Sequence, residues 1–367
     1  MEVILTESMR TWAEVSLDAL AQNISAIRAM TDKDICAVVK ADAYGHGAIA
    51  AAKRCESLGL RYLAVATLDE ALGLRRAGIS MPVLILGYTP PERALELVSE
   101  RLTQSIFDRE QAEAFSARLN AENRLRAHIK IDTGMSRLGL QSAEDAAYVC
   151  RLPGLEPEGF FTHYATADVE GDAFVKEQAG RFADAAEELC RAGVHFDILH
   201  CANSGGMLYY KGGPGNMIRV GLTMYGWNPS GENDGRFSPV MRFCTTVAQV
   251  KRISPGDTVS YGRTFTAARP ADIAVLCCGY ADGYPRSLSD KGYVLIGGAR
   301  APVVGRVCMD MMMADVTGLS VRAGDRAVLF GLDGGELLPL GGLARLAGTI
   351  PYELLCAVSA RVPRVYV

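Results

Sequence analysis

The sequence predicts an α/β chain: a TIM-type (β/α)8 barrel over residues 1–235, then a mostly β domain over 236–367. Three observations carry this. Eight short apolar runs alternate with amphipathic helical patterns up to residue 221. The stretch "YGWNPSGENDGRFSP" (225–239) gathers Pro, Gly, Asn and Ser, the composition of a linker. Beyond it, strand-like runs are separated by turns, with few helical patterns until "LGGLARLAGTIPYELLC".

The barrel strands are read, in order, as "ICAVVK" (35–40), "YLAVAT" (62–67), "PVLILGY" (82–88), "LTQSIFD" (102–108), "RAHIKID" (126–132), "PEGFFTHYA" (157–165), "FDILHCA" (196–202) and "MIRVG" (217–221). Stretches such as "LDEALGLRRAG" and "REQAEAFSARLN" between them have helical spacing, several closed by Gly or Asn. Strict strand–helix alternation over eight units indicates a closed parallel barrel, whose chemistry sits at the C-terminal strand ends. The strand-like "TWAEVSL" near the N-terminus suits an extra strand of either domain and is grouped with the barrel. The second domain reads as "TTVAQVKRI", "DTVSYG", "ADIAVLCCGY", "YVLIGG" and "RAVLFG".

The 367 residues suffice for two domains, and 49% apolar with 22% charged residues is a globular balance. A net charge of −4 with no basic stripe argues against nucleic acid. No run is long enough to span a membrane, and no signal-peptide core precedes "RTW", so a cytoplasmic location is expected. The ten cysteines include no CxxC spacing and mostly sit in apolar runs; buried reduced thiols are expected, with no metal site.

Lysine is costly to bury, yet "ICAVVKADAYGHG" ends a buried strand on Lys40. A strand-end lysine ordinarily snorkels into solvent. Here Asp42, Tyr44 and His46 follow within six residues, among glycines that permit a tight turn. A desolvated lysine becomes an amine nucleophile suited to Schiff-base chemistry. Other strand ends are polar too: His128, Lys130 and Asp132 alternate on one face, Arg137 follows, His163 and His200 close later strands, and Asn203, Ser204 and Arg219 come after. A mouth ringed by cations, hydroxyls and glycine backbone suits a phosphorylated ligand, and lysine beside a phosphate site suggests pyridoxal phosphate.

Taken together, "TWAEVSLDAL", "AVVKADAYGHGA", "HIKIDTGMSRLG", "HCANSGG", "NMIRVGLTMYG", "VSYGRTF", "CCGYADGYPR", "VGRVCMDMMMADV" and "IPYELLCAVSARVPR" resemble the alanine racemases, fold-type III enzymes using pyridoxal 5'-phosphate. The resemblance covers nearly the whole chain. It implies a head-to-tail homodimer in which each β domain completes the partner's site, and interconversion of L- and D-alanine for cell-wall peptidoglycan. It implies that Lys40 carries the cofactor and that Tyr44, Ser204, Tyr352 and the amides of Gly221 and Leu222 hold its phosphate. Arg219 would face the pyridine nitrogen and His163 the ring. Arg137 would sit near the phenolic oxygen and the substrate carboxylate. Tyr261 would be the second base, and Tyr280 and Met309 would line the substrate entrance and carboxylate site, all three from the partner chain. Lys130 matches a lysine that some members carry as a carbon dioxide adduct; an unmodified Lys130 paired with Asp132 is the alternative. Gly205 and Gly206 replace common alanines, and "IRVGLTMYG" departs from the usual string.

Racemisation needs a proton removed from one face of Cα and returned to the other. Lysine and tyrosine suit this pairing because their ordinary pKa values are both about 10. Arginine opposite the ring nitrogen would donate a hydrogen bond without protonating it, since its pKa exceeds about 12. A related decarboxylase is disfavoured because "VSYG" offers tyrosine where those enzymes present a cysteine. A single-barrel cofactor-binding protein would need no second domain. A serine racemase of the same family is the alternative function; Tyr352 and the absence of a membrane segment favour alanine.

Overall fold

A computed structural model describes residues 9–233 and 235–367. The chain forms two compact units. One comprises Ile24–Ala43 and Ala48–Met224; the other comprises the chain up to Asn23, the short segment Tyr44–Gly47, and Tyr225–Val367.

Strand β1 (Thr11–Val15) belongs to the second unit. The first unit is a closed barrel of β2 (Asp34–Val38), β3 (Tyr62–Val65), β4 (Val83–Ile85), β5 (Thr103–Ile106), β6 (Leu125–Lys130), β7 (Leu155–Phe161), β8 (Ile198–His200) and β9 (Met217–Val220). All eight strands expected from the sequence are present. Neighbours pair in parallel, and β9 returns to β2 with Asp34 opposite Met217 and Ala37 opposite Val220. Parallel strands buried on both faces explain the near-continuous apolar runs. The helices are capped as the sequence dictates: Asp108, Ser142, Asp172 and Asn203 each accept a backbone N–H of the helix they precede, at about 0.5–2 kcal/mol per cap. The helix Ala173–Arg191 buries Val175, Gln178, Phe182, Ala185 and Leu189, one face at helical spacing. Phe182 stacks on Phe160 of β7 at 5.2 Å.

The second unit is built on the long strand β10 (Met241–Ile253). It pairs with β1, with Arg326–Asp333 and with Ala271–Leu276, all antiparallel. β1 also pairs in parallel with Arg364–Tyr366. The N-terminal strand, grouped with the barrel on sequence, therefore belongs to this sheet. A barrel closed by the β2–β9 ladder has no edge to offer a ninth strand. Buried Glu14 fixes β1 in place, accepting from the Trp12 indole at 2.9 Å and from Arg242 Nε at 2.8 Å. The C-terminal helical run is two helices, Leu340–Ala347 and Pro351–Ala357, separated by left-handed Gly348.

All ten cysteines are free. Burial holds for Cys36, Cys55, Cys201, Cys244 and Cys278, whereas Cys190 and Cys356 are exposed on helices. Among the described residues no helix is long and apolar enough to cross a membrane.

Candidate functional site

Lys40 follows β2 directly, and its surroundings begin with the backbone. After it the chain turns left-handed at Ala41, Asp42, Ala43 and Tyr44, with φ between 51° and 54°. Side chains with a Cβ resist this conformation by roughly 1–2 kcal/mol per residue. Hydrogen bonds that hold it include Ala43 N–H to Val39 O at 2.9 Å, Ala41 N–H to Glu70 Oε1 at 2.7 Å, and Ala48 N–H to Asp42 Oδ1 at 2.7 Å. Glu70 also accepts from Ala66 N–H at 2.7 Å and closes the capping box with Thr67. It thus ties the Lys40 turn to the loop after β3. The sequence reading passed over Glu70; the signal was "TLDE", a capping-box string.

Arg219 on β9 is 3% exposed. One terminal nitrogen donates to His200 Nδ1 at 2.7 Å; the other donates to Thr162 O at 2.8 Å, His163 Nδ1 at 3.0 Å and Cys201 O at 3.1 Å. Among the described residues its Nε–H has no acceptor. Since arginine only donates, His200 must accept at Nδ1 and carry its proton on Nε2. That proton is donated to His128 Nδ1 at 2.8 Å. His128 then carries its own on Nε2, which is buried without a partner. Burial, then the Arg219 charge, push His128 down to about 3 and hold His163 and His200 well below the usual imidazole range. All three histidines stay neutral acceptors. The sequence placed His128 and His200 in the ring around the mouth; they form instead an internal chain leading inward from Arg219. Gly159 on β7 makes room for it, because a Cβ there would lie 2.7 Å from the His128 ring.

Lys130 ends β6 and is 4% exposed. Burial comes first, then Arg137, Arg219 and Lys40, in lowering it to about 8, with Asp132 opposing them. Asp132 does not pair with it among the described residues. Its Oδ1 accepts instead from the loop amides of Gly134 at 2.8 Å and Ser136 at 3.1 Å. Lys40, Arg137 and Arg219 therefore all act on Lys130, against the Asp132 carboxylate, an arrangement suited to anionic ligands.

Ser204 opens the helix Ser204–Tyr210, and its Oγ accepts from Gly221 N–H at 3.2 Å and Thr223 N–H at 3.4 Å. Gly221 and Leu222 follow β9 and are buried. The Gly205 departure has a packing reason: a Cβ would strike the Ala167 carbonyl. At Gly206 it would lie 2.9 Å from Ala202 Cβ. "NSGG" is the small-residue helix start that this packing requires.

In the second unit, Tyr44 packs between Tyr225 and Tyr352, with ring centroids at 5.2 and 5.8 Å. Burial raises the Tyr44 phenol above its usual range, so its hydroxyl stays protonated and able to donate. Arg364 Nε donates to Gly45 O at 2.8 Å, strapping this segment to the C-terminal strand. Tyr261, Met309 and Tyr280 lie at the surface of this unit, 73%, 53% and 43% exposed. The Tyr280 and Met309 loops are joined: Tyr280 N–H donates to Cys308 O and Ala281 N–H to Met309 O, both at 3.0 Å. Buried Asp282 anchors them, accepting from Arg10 at 2.6 Å, Arg361 at 2.8 Å and Gly279 N–H at 2.9 Å. Arg361 reaches on to Asp310 at 2.6 Å.

Residues 15–229 match the family described as "Alanine racemase, N-terminal domain", and residues 240–366 match its C-terminal domain. An alanine racemase of Desulfovibrio desulfuricans is 45% identical, covering 97% of this chain and 98% of that protein. One from Symbiobacterium thermophilum is 44% identical over 97% of each. The alanine racemase structure from Bacillus anthracis with bound L-Ala-P superposes with a TM-score of 0.91 at 36% identity, covering 98% of this chain and 95% of that one.

The Lys130 environment gives a pH dependence. The unfolded chain keeps this lysine protonated up to about 10.5, whereas the folded chain releases the proton near 8. Between these values the unfolded state binds more protons, so stability rises with pH across that window. In buffer free of carbon dioxide, urea denaturation should show the wild type gaining on Lys130→Met from pH 8 to 10.5. A constant difference would mean that Lys130 titrates normally.

Proposed function

Since the chain belongs to the alanine racemase family, we propose that it interconverts L-alanine and D-alanine by moving the Cα proton between two bases on opposite faces, Lys40 and Tyr261 of the partner subunit. The observation that carries this reading is the barrel mouth, where buried Lys130 feels Arg137, Arg219 and Lys40 against the Asp132 carboxylate. Such a mouth suits a phosphate and an amino-acid carboxylate together. The relatives named above are alanine racemases, which supports alanine over serine as substrate.

The donor set fits pyridoxal 5'-phosphate. Arg219 has its Nε–H to spare for the ring nitrogen, and neutral His163, Nδ1 turned to Arg219, suits packing on the ring. When bound, the cofactor supplies the conjugated ring that withdraws electrons from Cα. Lys40 would hold it through its amine and, once released, serve as one base. Tyr44, Tyr352, Ser204 and the amides of Gly221 and Leu222 would bind the phosphate. Arg137 would orient the substrate carboxylate. The exposure of Tyr261, Tyr280 and Met309 supports a head-to-tail homodimer in which they meet the partner's substrate. The D-alanine would serve peptidoglycan synthesis in the cytoplasm.

Lys130 fits a carbon dioxide adduct on the same reading. An amine lowered to about 8 is partly neutral at physiological pH. The neutral amine's lone pair forms the new N–C bond as one C=O π pair of carbon dioxide moves onto oxygen, and an N–H proton leaves. With the proton already lost from the ammonium, two protons depart and a buried cation beside Arg137 becomes an anion able to pair with it.

Three outcomes test this reading. Borohydride reduction of the cofactor-loaded protein should fix the cofactor on the peptide bearing Lys40; label on another lysine would reassign it. Tyr261→Phe should lose at least about 100-fold in racemisation, and re-associated mixtures of inactive Lys40→Ala and Tyr261→Phe chains should regain activity through hybrid dimers with one intact site. Hybrids that form and stay inactive would refute the shared site. Electron density should carry three extra atoms on Lys130, and bicarbonate should restore activity after depletion at low pH; a bare amine in active protein would exclude the adduct.

A further inference from the structure

The loop that carries Tyr261 is strained at the residue before it. Ser260 has φ 66° and ψ −175°. This region is populated almost only by glycine, and a side chain persists there when its surroundings hold it. Gly262 and Arg263 also have positive φ, at 72° and 52°. Glycine at 260 would adopt this backbone without steric strain. A serine in its place indicates that the hydroxyl has a task.

The task is visible in its partners. Ser260 Oγ donates to Arg306 O at 2.6 Å and lies 3.5 Å from Cys308 Sγ. Gly305 is needed opposite, since a Cβ there would lie 2.8 Å from Ser260 Cβ. The same segment, 306–309, accepts the amides of Tyr280 and Ala281. The Tyr261 ring itself has no hydrogen bond or ring contact among the described residues, and it is 73% exposed. Its placement is therefore set through the backbone of Ser260.

We infer that Ser260 is a positioning residue for Tyr261: its hydroxyl pins the loop to the Arg306–Met309 segment and fixes the phenol relative to Met309 and Tyr280. This rests on the reading of Tyr261 as the second base. Two substitutions separate positioning from folding. Ser260→Gly removes the hydroxyl and relieves the backbone. Ser260→Ala removes the hydroxyl and keeps the strain.

The experiment follows α-proton exchange in deuterium oxide, for L-alanine and D-alanine separately, in wild type, both variants and Tyr261→Phe, with thermal unfolding measured alongside. With bases on opposite faces, Tyr261→Phe should slow exchange from one enantiomer only. Ser260→Gly should melt at or above the wild type yet slow that same enantiomer by about 10- to 100-fold, the scale of a small misplacement at a reacting centre. Ser260→Ala should melt lower with the same one-sided loss. Wild-type exchange of both enantiomers in Ser260→Gly, beside a one-sided loss in Tyr261→Phe, would overturn the positioning role alone. Equal slowing of both enantiomers in Ser260→Gly would also overturn it, as general distortion. No one-sided loss in Tyr261→Phe would overturn the reading of Tyr261 itself.

Discussion

An excess of positive charge at one end of a closed barrel is the constraint on which the site depends. Like charges in a poorly solvated place repel strongly, and here Lys130 feels Arg137, Arg219 and Lys40 against Asp132. The surrounding residues answer this in a consistent way. Arg219 is surrounded by uncharged acceptors: carbonyls and two imidazoles held neutral by burial and by Arg219 itself. Lys130 gives up part of its charge. Ser204 opens a capped helix against the chain that follows β9. Each is an arrangement that an anionic ligand would stabilise further.

The second unit contributes chemistry of another kind. Its tyrosines include buried ones, Tyr44, Tyr225 and Tyr284, and exposed ones, Tyr261 and Tyr280 among them. Tyr261 and Tyr280 sit on short connecting segments braced by polar anchors. Asp282 collects two arginines and a backbone amide. A carboxylate buried this deeply is tolerated because its charge is paired and bonded, and its position fixes the loops on either side. Surface side chains on braced loops are suited to meeting another protein surface without reordering.

Much of this was legible in the sequence because strand–helix alternation and motif order are local signals. The eight barrel strands, the lysine after the first and the cations at later strand ends all follow from short stretches. What escaped reading depends on long-range pairing. β1 looks like any amphipathic strand, and only barrel closure forces it into the other sheet. His128 and His200 lie 72 positions apart, so their hydrogen bond has no local trace. Lys130 was weighed against pairing with Asp132 from their alternation on one strand; the loop amides of Gly134 and Ser136 take the carboxylate instead. Glu70 was legible as a cap but not as the acceptor for Ala41. The left-handed run after Lys40 was hidden because alanine and tyrosine disfavour it, and one aspartate, though enriched in that region, does not mark a four-residue run.

That run has a stereochemical consequence. Ala41 and Ala43 occupy the backbone region that mirror-image residues prefer, within a few degrees of φ 50°. A D-alanine introduced at either position by chemical synthesis would relax the turn, whereas the encoded L-residue holds it taut. Glycine would relax it as well, at the cost of a more disordered unfolded chain. The handedness of the polypeptide is thus worked against itself beside Lys40, in a chain whose family is named for inverting alanine.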